Sequence, residues 1–160
     1  MTEGIMSGKI EAHLKKLNLE LPTPAKPAAN YVPFVTYNGL VYVSGQLPLW
    51  KGKPKITGKV GKDLKIDEAQ EAAGLCLLNV LAQLKIACQG DLDKITKCIR
   101  LTGYVNATDD FSDHPQVING ASDILKELFG DIGAHSRAAI GVSSLPFNVP
   151  VEIDGIFALS

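Results

Sequence analysis

The sequence predicts a single α+β domain in which two main helices pack on one face of a β-sheet. Two β-rich runs flank Asn38-Gly39 near the start, a long helical pattern fills the middle, and two strand-like runs close the chain. The predicted order is β-β-loop-α-β-α-β-β, which is typical of helices packed on one side of a sheet. A length of 160 residues favours one domain with a sizeable core.

The first element is a short helix. Apolar residues recur at helical spacing and predict a helix over residues 5–17, namely Ile10, Leu14 and Leu17. We therefore expect an N-terminal helical extension over residues 1–20, followed by the domain itself over residues 21–160.

An extended arm and a β-hairpin follow. Four prolines within residues 21–33 exclude a regular helix and favour an arm that runs over the surface. The β-rich runs 34–37 and 40–44 are separated by Asn38-Gly39, the strongest two-residue signal for a hairpin turn.

The middle of the chain combines a loop with the clearest helix. Residues 51–62 are rich in Gly and Lys and predict a loop with a short strand at Ile56. A continuous apolar face predicts a helix over residues 67–89. Asp67 and Gln70 have the spacing of a capping box at its start.

The second half predicts one strand, one helix and two final strands. Residues 95–105 alternate as a strand does, and Pro115 suits the first turn of a helix that ends near residue 129. The last two strands cover residues 135–142 and 149–159, and they are joined through residues 146–148.

Composition narrows the class of protein. The formal net charge of -1 gives no basic field for nucleic acid or an anionic membrane, and no run approaches the length of a membrane span. We expect a cytoplasmic protein with no nucleic-acid partner.

The cysteines Cys76, Cys88 and Cys98 form no C-x-x-C pair and are expected to be buried, reduced thiols. The three histidines lack metal-ligand spacing, so no metal site is expected.

Two ionisable residues inside apolar strand-like runs are the candidate functional residues. Arg137 and Glu152 each carry a charge that costs free energy in a half-buried strand unless a partner or ligand compensates it. A guanidinium can bind a carboxylate with two parallel hydrogen bonds, and a carboxylate can accept a proton from water. The alternative is a structural ion pair between Arg137 and either Asp154 or Glu152.

Two blocks of sequence resemble a known family. Residues 42–48 read Tyr-Val-Ser-Gly-Gln-Leu-Pro, and the closing block places Ser-Arg-Ala-Ala-Ile, Leu-Pro and Val-Glu-Ile at residues 136–140, 145–146 and 151–153. In these blocks the chain resembles the YjgF-like reactive-intermediate deaminases, also labelled endoribonuclease L-PSP, and specifically a longer subgroup with an N-terminal extension. The resemblance implies a chorismate-mutase-like fold and a homotrimer with pockets at the subunit interfaces. Trp50 and Phe147 are candidates for such an interface or, alternatively, core aromatics.

The resemblance also implies roles for individual residues. Arg137 matches the arginine that binds the substrate carboxylate, and Glu152 matches the carboxylate that activates water. The remaining matches are substrate-binding residues, namely Ser44, Gly45, Tyr31 and Asn119, the last only with one residue inserted before the arginine. The family often has a cysteine two residues after the arginine, where this chain has Ala139.

The implied activity is hydrolysis of 2-imino acids to 2-keto acids and ammonia without a cofactor. Three alternatives remain open, one of which is a structural trimer with a degenerate pocket. A non-catalytic binder of small carboxylates or keto acids would use Arg137 but would not need Glu152. An RNA-cleaving translation inhibitor is suggested by the family label, although the charge and the scattered histidines do not favour it.

Overall fold

The structure, a computed structural model, describes residues 8–27 and 29–160. Its three α-helices are α1 (Lys9–Lys16), α2 (Ile66–Ala87) and α3 (His114–Phe129). The strands are β1 (Phe34–Tyr37), β2 (Leu40–Gln46), β3 (Leu49–Trp50), β4 (Lys53–Pro54), β5 (Ile95–Asn106), β6 (Ser136–Val142) and β7 (Val151–Leu159). Short 3₁₀ turns cover Leu92–Lys94, Gly130–Gly133 and Pro146–Asn148.

The main sheet has five strands in the order β1-β2-β7-β5-β6. Strands β5 and β6 are parallel and the other neighbours are antiparallel. The alternate residues Val151, Ile153, Gly155 and Phe157 of β7 are buried under the helices, whereas Glu152, Asp154 and Ile156 between them are partly exposed. The predicted α+β domain with helices on one sheet face is therefore confirmed. We call the other side of the sheet its open face.

The predicted hairpin turn is confirmed. Asn38 and Gly39 both have positive φ, 50° and 75°, as a two-residue turn that follows the strand twist requires. Tyr37 pairs with Leu40 directly across this turn. The turn fixes the register of β1 and β2 and sends the chain into the segment that carries Ser44 and Gly45.

Two predictions for the middle of the chain are wrong in detail. Helix α2 begins after Lys65, whose backbone N–H donates to the Glu68 carboxylate at 2.8 Å, so the predicted Asp67–Gln70 capping box does not exist. Gln70 instead donates to the Gln116 carbonyl at 2.7 Å and joins α2 to α3. Ile56 lies outside any strand, because the nearby pairing is the small hairpin of β3 and β4.

The N-terminal helix packs into the same core as the sheet. Ile10 and Leu14 are buried in that core, and the Asp93 carboxylate accepts the first helical N–H groups, from Lys9 at 2.9 Å and Ile10 at 3.0 Å. The beginning of the predicted helix, residues 5–7, lies outside the described residues. The division of the chain at residue 20 stays a prediction.

The three cysteines are free and buried, as predicted. Burial raises the pKa of Cys88 to about 11 and that of Cys98 to about 12. Burial also raises the pKa of Cys76 well above its ordinary value, with the Glu152 charge as a second cause. These groups therefore remain protonated thiols at neutral pH.

Helices α2 and α3 approach so closely that their contact requires glycine. A Cβ on Gly120 of α3 would collide with the backbone carbonyl of Gln70 on α2, and backbone cannot move aside as a side chain can. Gly74 of α2 is less restricted, because a Cβ there would meet the flexible end of Ile124 at 3.1 Å. The position of α3 above the sheet therefore depends on Gly120.

We predict that Gly120→Ala destabilises the protein by about 1–3 kcal/mol, the usual cost of overpacking a core. Gly74→Ala is the matched control, and its added methyl is offset by up to about 1 kcal/mol of helix propensity. Thermal unfolding of both variants beside the wild type measures the difference. Equal midpoints for the two variants would contradict the proposed close contact.

Candidate functional site

Arg137 lies on β6 beneath helix α3. The register pairs Arg137 with buried Leu101 and places its side chain on the helix-covered side of the sheet. Its Nη1 donates to Asn119 Oδ1 at 2.8 Å and to Ser122 Oγ at 3.1 Å, and its Nη2 reaches the Pro115 carbonyl at 3.5 Å. We call this group, Arg137, Asn119, Ser122 and the Pro115 carbonyl, the arginine half-site.

Glu152 lies on β7 with its side chain on the open face. It pairs with Tyr104 and borders a cavity of about 220 Å³ at the end of β2. The cavity is lined by the proline-rich arm, the end of β2 and the loop before β7, and its wall includes Tyr31, Gly45, Leu47, Pro146 and Phe147. We call Glu152, Gly45, Tyr31 and Phe147 the glutamate half-site.

Gly45 lets the Glu152 carboxyl group lie against the backbone of β2. The register of β2 against β7 shifts between Val43 and Gln46, which marks a β-bulge at Ser44 and Gly45. A Cβ on Gly45 would stand 3.0 Å from Glu152 Cδ, closer than most real side-chain contacts. The bulge therefore brings a strand end and a carboxylate together without a side chain between them.

Ser44 and Tyr31 are connected through the arm. The Ser44 hydroxyl donates to the Val32 carbonyl at 2.7 Å, and the Ser44 N–H donates to the Pro33 carbonyl at 2.9 Å. Both bonds hold the arm beside the cavity, where Tyr31 is 52% exposed. In the single chain Ser44 thus supports the cavity wall through the arm.

Phe147 is held in a backbone conformation that is rare for a bulky residue. Its φ is 56°, in the left-handed region, which costs on the order of 1–3 kcal/mol for such a side chain. The Gly58 N–H donates to the Asn148 carbonyl at 2.8 Å and holds the next residue in place. Phe147 is 70% exposed at the rim of the cavity, so it is not a core aromatic.

The electrostatics of the open face distinguish Glu152 from its neighbours. Partial burial and the nearby Asp154 charge both raise the pKa of Glu152. Burial and a 2.8 Å hydrogen bond to Asp154 raise the pKa of Tyr104 to about 12, so its phenol stays protonated and donates to Asp154. Within the described residues the Glu152 carboxyl accepts no hydrogen bond, which leaves it available as a proton acceptor.

Arg137 and Glu152 do not meet within one chain. Strand β5 separates their strands, and their partners Leu101 and Tyr104 are three positions apart on it. Two strand spacings and three residues of rise put their Cα atoms about 14 Å apart, on opposite faces of the sheet. The predicted alternative of an ion pair between Arg137 and Asp154 or Glu152 is wrong for the described part of the chain. Each chain presents two separate half-sites.

Two side chains in the surroundings of Arg137, Ser122 and His135, were not predicted from the sequence. Ser122 contacts both Arg137 and His135, and His135 Nδ1 lies 2.7 Å from the Gly133 carbonyl. The available signal was the spacing of Asn119 and Ser122, which places two polar side chains on one face of a helix. His135 carried no signal beyond its place two residues before the arginine.

Residues 8–27 and 29–160 contain neither a cluster of metal-binding side chains nor a helix suited to span a membrane. In that part of the chain no three His, Cys, Asp or Glu side chains come together in a way that could hold a metal ion. Nor does that part contain a helix with the length and apolar character needed to cross a bilayer.

Comparison with known proteins identifies the family. Residues 11–158 match the family described as "YjgF/chorismate mutase-like, putative endoribonuclease", and the chain belongs to it. The resemblance predicted from the sequence is thereby confirmed, and the fold is that of the family.

Individual relatives cover nearly the whole chain. Protein TCP17 of Trypanosoma cruzi is 40% identical over 157 residues, which are 98% of each chain. The crystal structure of Atu1372, a protein from Agrobacterium tumefaciens, is 48% identical with a TM-score of 0.90, over 95% of this chain and 93% of that one. A 2-iminobutanoate/2-iminopropanoate deaminase of Dermatophagoides farinae is 25% identical over 142 residues, 88% of this chain and 94% of its own.

We predict that Glu152→Gln stabilises the folded protein at neutral pH. Because the folded-state pKa of Glu152 lies above its ordinary value of 4.5, the wild type loses stability as pH rises from that value through the raised pKa. The advantage of the variant is therefore absent at acid pH and complete above the raised pKa. Thermal midpoints between pH 4 and 8 measure it, and each kcal/mol gives about 2–4 °C.

The control for this prediction is Glu127→Gln, which changes an exposed glutamate on α3. This variant removes a carboxylate and leaves the surroundings of Glu152 unchanged, so the pH dependence that Glu152 contributes to the midpoint should remain. A constant difference between Glu152→Gln and the wild type at every pH would contradict the stated cause.

Proposed function

We propose that the protein hydrolyses 2-imino acids to 2-keto acids and ammonia, at a site that joins the arginine half-site of one chain to the glutamate half-site of another. The observation that carries this proposal is that each half-site, in the described part of the chain, holds a charged group without a charged partner or a bound donor. Within the described residues, Arg137 is held only by neutral acceptors that leave its charge uncompensated, and Glu152 is partly desolvated with no donor bound to it. The imine deaminase among the relatives supports the same reaction class.

The reaction needs few groups. Arg137 would hold the substrate carboxylate and fix the position of the adjacent imine carbon. With the imine nitrogen already protonated, Glu152 would take a proton from water while the water oxygen bonds to that carbon and the C=N electron pair moves onto nitrogen. Glu152 then returns this proton to the nitrogen. The C–N bond breaks and ammonia leaves as the hydroxyl proton passes back to the Glu152 carboxylate and the C=O bond forms, and Glu152 finally releases that proton to the departing ammonia. The raised pKa of Glu152 suits a group that must both accept and return a proton near neutral pH.

The need for a second chain follows from the position of the half-sites. No side chain reaches across a sheet, so the two charged groups can meet only between copies. The open face offers a surface for such an assembly, because four of its large apolar residues are between 44% and 68% exposed: Val35, Tyr37, Tyr42 and Ile140. Three of them, Val35, Tyr37 and Tyr42, lie on the neighbouring strands β1 and β2, and exposed apolar side chains grouped in this way are typical of protein interfaces. From the resemblance to the family we expect this assembly to be a homotrimer.

Two rival functions make different demands on these residues. A carboxylate binder needs the arginine half-site but gives no reason for a desolvated, unbonded Glu152. Cleavage of RNA by acid–base chemistry would need paired catalytic groups, but His13 contacts the Leu128 carbonyl, His114 packs beside Phe111 and His135 bonds to Ser122. The proposal therefore rests on Glu152 as the residue that separates enzyme from binder.

We predict that wild-type protein depletes imines produced in situ by an amino-acid oxidase, with semicarbazide trapping the unreacted fraction. Glu152→Gln should lower the rate about 10²–10⁴-fold, the usual contribution of acid–base catalysis, while still binding a keto acid. Arg137→Ala should lose binding as well, and Arg137→Lys should recover part of it because the charge remains without the planar fork. Full activity in Glu152→Gln would remove the proposed mechanism.

We also predict that two inactive variants restore activity when they share an assembly. Arg137→Ala and Glu152→Gln chains, unfolded together and refolded as a mixture, should regain roughly a quarter of wild-type activity, because a quarter of the shared sites receive both intact residues. The same variants refolded separately and mixed without exchange are the control. A site formed within one chain would show no recovery.

A further inference from the structure

We propose that Ser122 and His135 are positioning residues that fix the Nη1 end of Arg137, so that its Nε–Nη2 edge is the one that receives the substrate carboxylate. This inference rests on the proposed function, since it specifies how the arginine half-site binds its ligand. It concerns a hydrogen-bonded chain of four groups that runs from the Gly133 carbonyl through His135 and Ser122 to Arg137.

The direction of each bond in this chain is determined at its backbone end. A carbonyl only accepts, so the 2.7 Å contact of Gly133 O with His135 Nδ1 requires the proton on Nδ1. In the neutral ring Nε2 is then an acceptor, and the Ser122 hydroxyl, 2.9 Å away, donates to it. The lone pairs of Ser122 Oγ are thereby left to accept from Arg137 Nη1 at 3.1 Å.

Only some of the N–H groups of Arg137 have an acceptor within the described residues. A guanidinium has five N–H groups, two of them on Nη1. Both Nη1 hydrogens are used, one by Asn119 Oδ1 at 2.8 Å and one by Ser122 Oγ. One Nη2 hydrogen points to the Pro115 carbonyl at 3.5 Å, a long contact. Within the described residues, the N–H of Nε and the second N–H of Nη2 have no acceptor, and they form the parallel pair that matches a carboxylate.

The two side chains that accept hydrogen bonds from Nη1, Asn119 and Ser122, are held in place by helix α3 and by His135. Asn119 and Ser122 are one helical turn apart on α3, and Gly120 between them holds that helix against α2. His135 is tied to the 3₁₀ turn Gly130–Gly133 that follows α3. Asn119 is held by helix α3, and the series of hydrogen bonds through Ser122 ends at the Gly133 backbone carbonyl. The guanidinium plane of Arg137 is therefore restrained in rotation as well as in position. Such restraint before binding favours a bidentate contact, since less orientational freedom is lost when the ligand arrives.

A merely structural role for these bonds would be to hold β6 against α3. That role predicts loss of stability when Ser122 is changed, with no selective effect on anions. The positioning role predicts a selective loss of affinity for a carboxylate. Ser136 provides a matched control, because its hydroxyl donates to the Ile99 carbonyl at 3.0 Å next to Arg137 but lies outside the chain of bonds.

The first experiment is a nitrogen-15 NMR measurement of the His135 ring in wild-type protein at pH 8. We expect the Nδ1–H tautomer with an unprotonated Nε2. A ring that carries its proton on Nε2 would overturn the inference regardless of any activity, because Ser122 could then no longer donate to it.

The second experiment compares binding of pyruvate and of its neutral amide, pyruvamide, by calorimetry. Ser122→Ala should weaken pyruvate binding roughly 5- to 10-fold, within the range of one typical hydrogen bond, and leave pyruvamide binding unchanged. Ser122→Thr, which keeps the hydroxyl, should restore pyruvate affinity, and Ser136→Ala should match the wild type. In the imine assay the loss should appear in KM rather than kcat.

The possible failures are distinct. Wild-type affinity for pyruvate in Ser122→Ala, with imine hydrolysis intact, overturns the inference and leaves the proposed function standing. An equal loss for pyruvate and pyruvamide also overturns it, in favour of the structural role. A wild-type protein that binds pyruvate no better than pyruvamide refutes the carboxylate role of Arg137, and with it both the inference and that part of the proposed function.

Discussion

The alternation of side chains across the β-sheet is the constraint on which the candidate site depends. Arg137 and Glu152 are aligned with residues three positions apart on β5, and an odd offset puts them on opposite faces. A change of rotamer cannot alter this, and a shift of register would expose the whole apolar face of a strand. The same alternation that buries Val151, Ile153 and Phe157 beneath the helices therefore also divides the site. Assembly of several chains becomes a condition for the proposed chemistry.

Each half-site handles its charge in a different way. The guanidinium of Arg137 is surrounded by an amide oxygen, a hydroxyl and a backbone carbonyl, which satisfy N–H groups without neutralising the charge. A carboxylate partner would have satisfied the same donors and removed the attraction for an anionic ligand. The surroundings of Glu152 have the opposite effect, because they disfavour its charge. They exclude water from the carboxylate and place the like charge of Asp154 nearby. These two arrangements suit the roles that the proposed function gives the residues, with Arg137 binding an anion and Glu152 taking up a proton.

Much of the fold was predictable because its signals are local. The Asn38-Gly39 turn, the apolar face of α2 and the proline at the start of α3 each specify their element within a few residues. The start of α2 was misplaced because Lys65 is an uncommon residue before a helix, and the small β3–β4 hairpin has only two residues per strand. Arg137 and Glu152 stood out as charges within apolar strands. Their separation could not be predicted, since it requires the strand order, and neither could the Ser122–His135 contact, which depends on how α3 lies over β6.

The features that cost folding free energy in this structure are concentrated in the glutamate half-site. A bulky residue with positive φ, a partly desolvated carboxylate and a glycine bulge all border one cavity of about 220 Å³. The arginine half-site, in contrast, rests on hydrogen bonds anchored in helix and turn. This asymmetry has a chemical consequence. A ligand that fills the cavity displaces water from a carboxylate that has already lost part of its hydration, so little further desolvation is needed before Glu152 accepts a proton from the attacking water. Binding of the carboxylate by Arg137 of a neighbouring chain would then supply the orientation that the strained cavity does not provide alone.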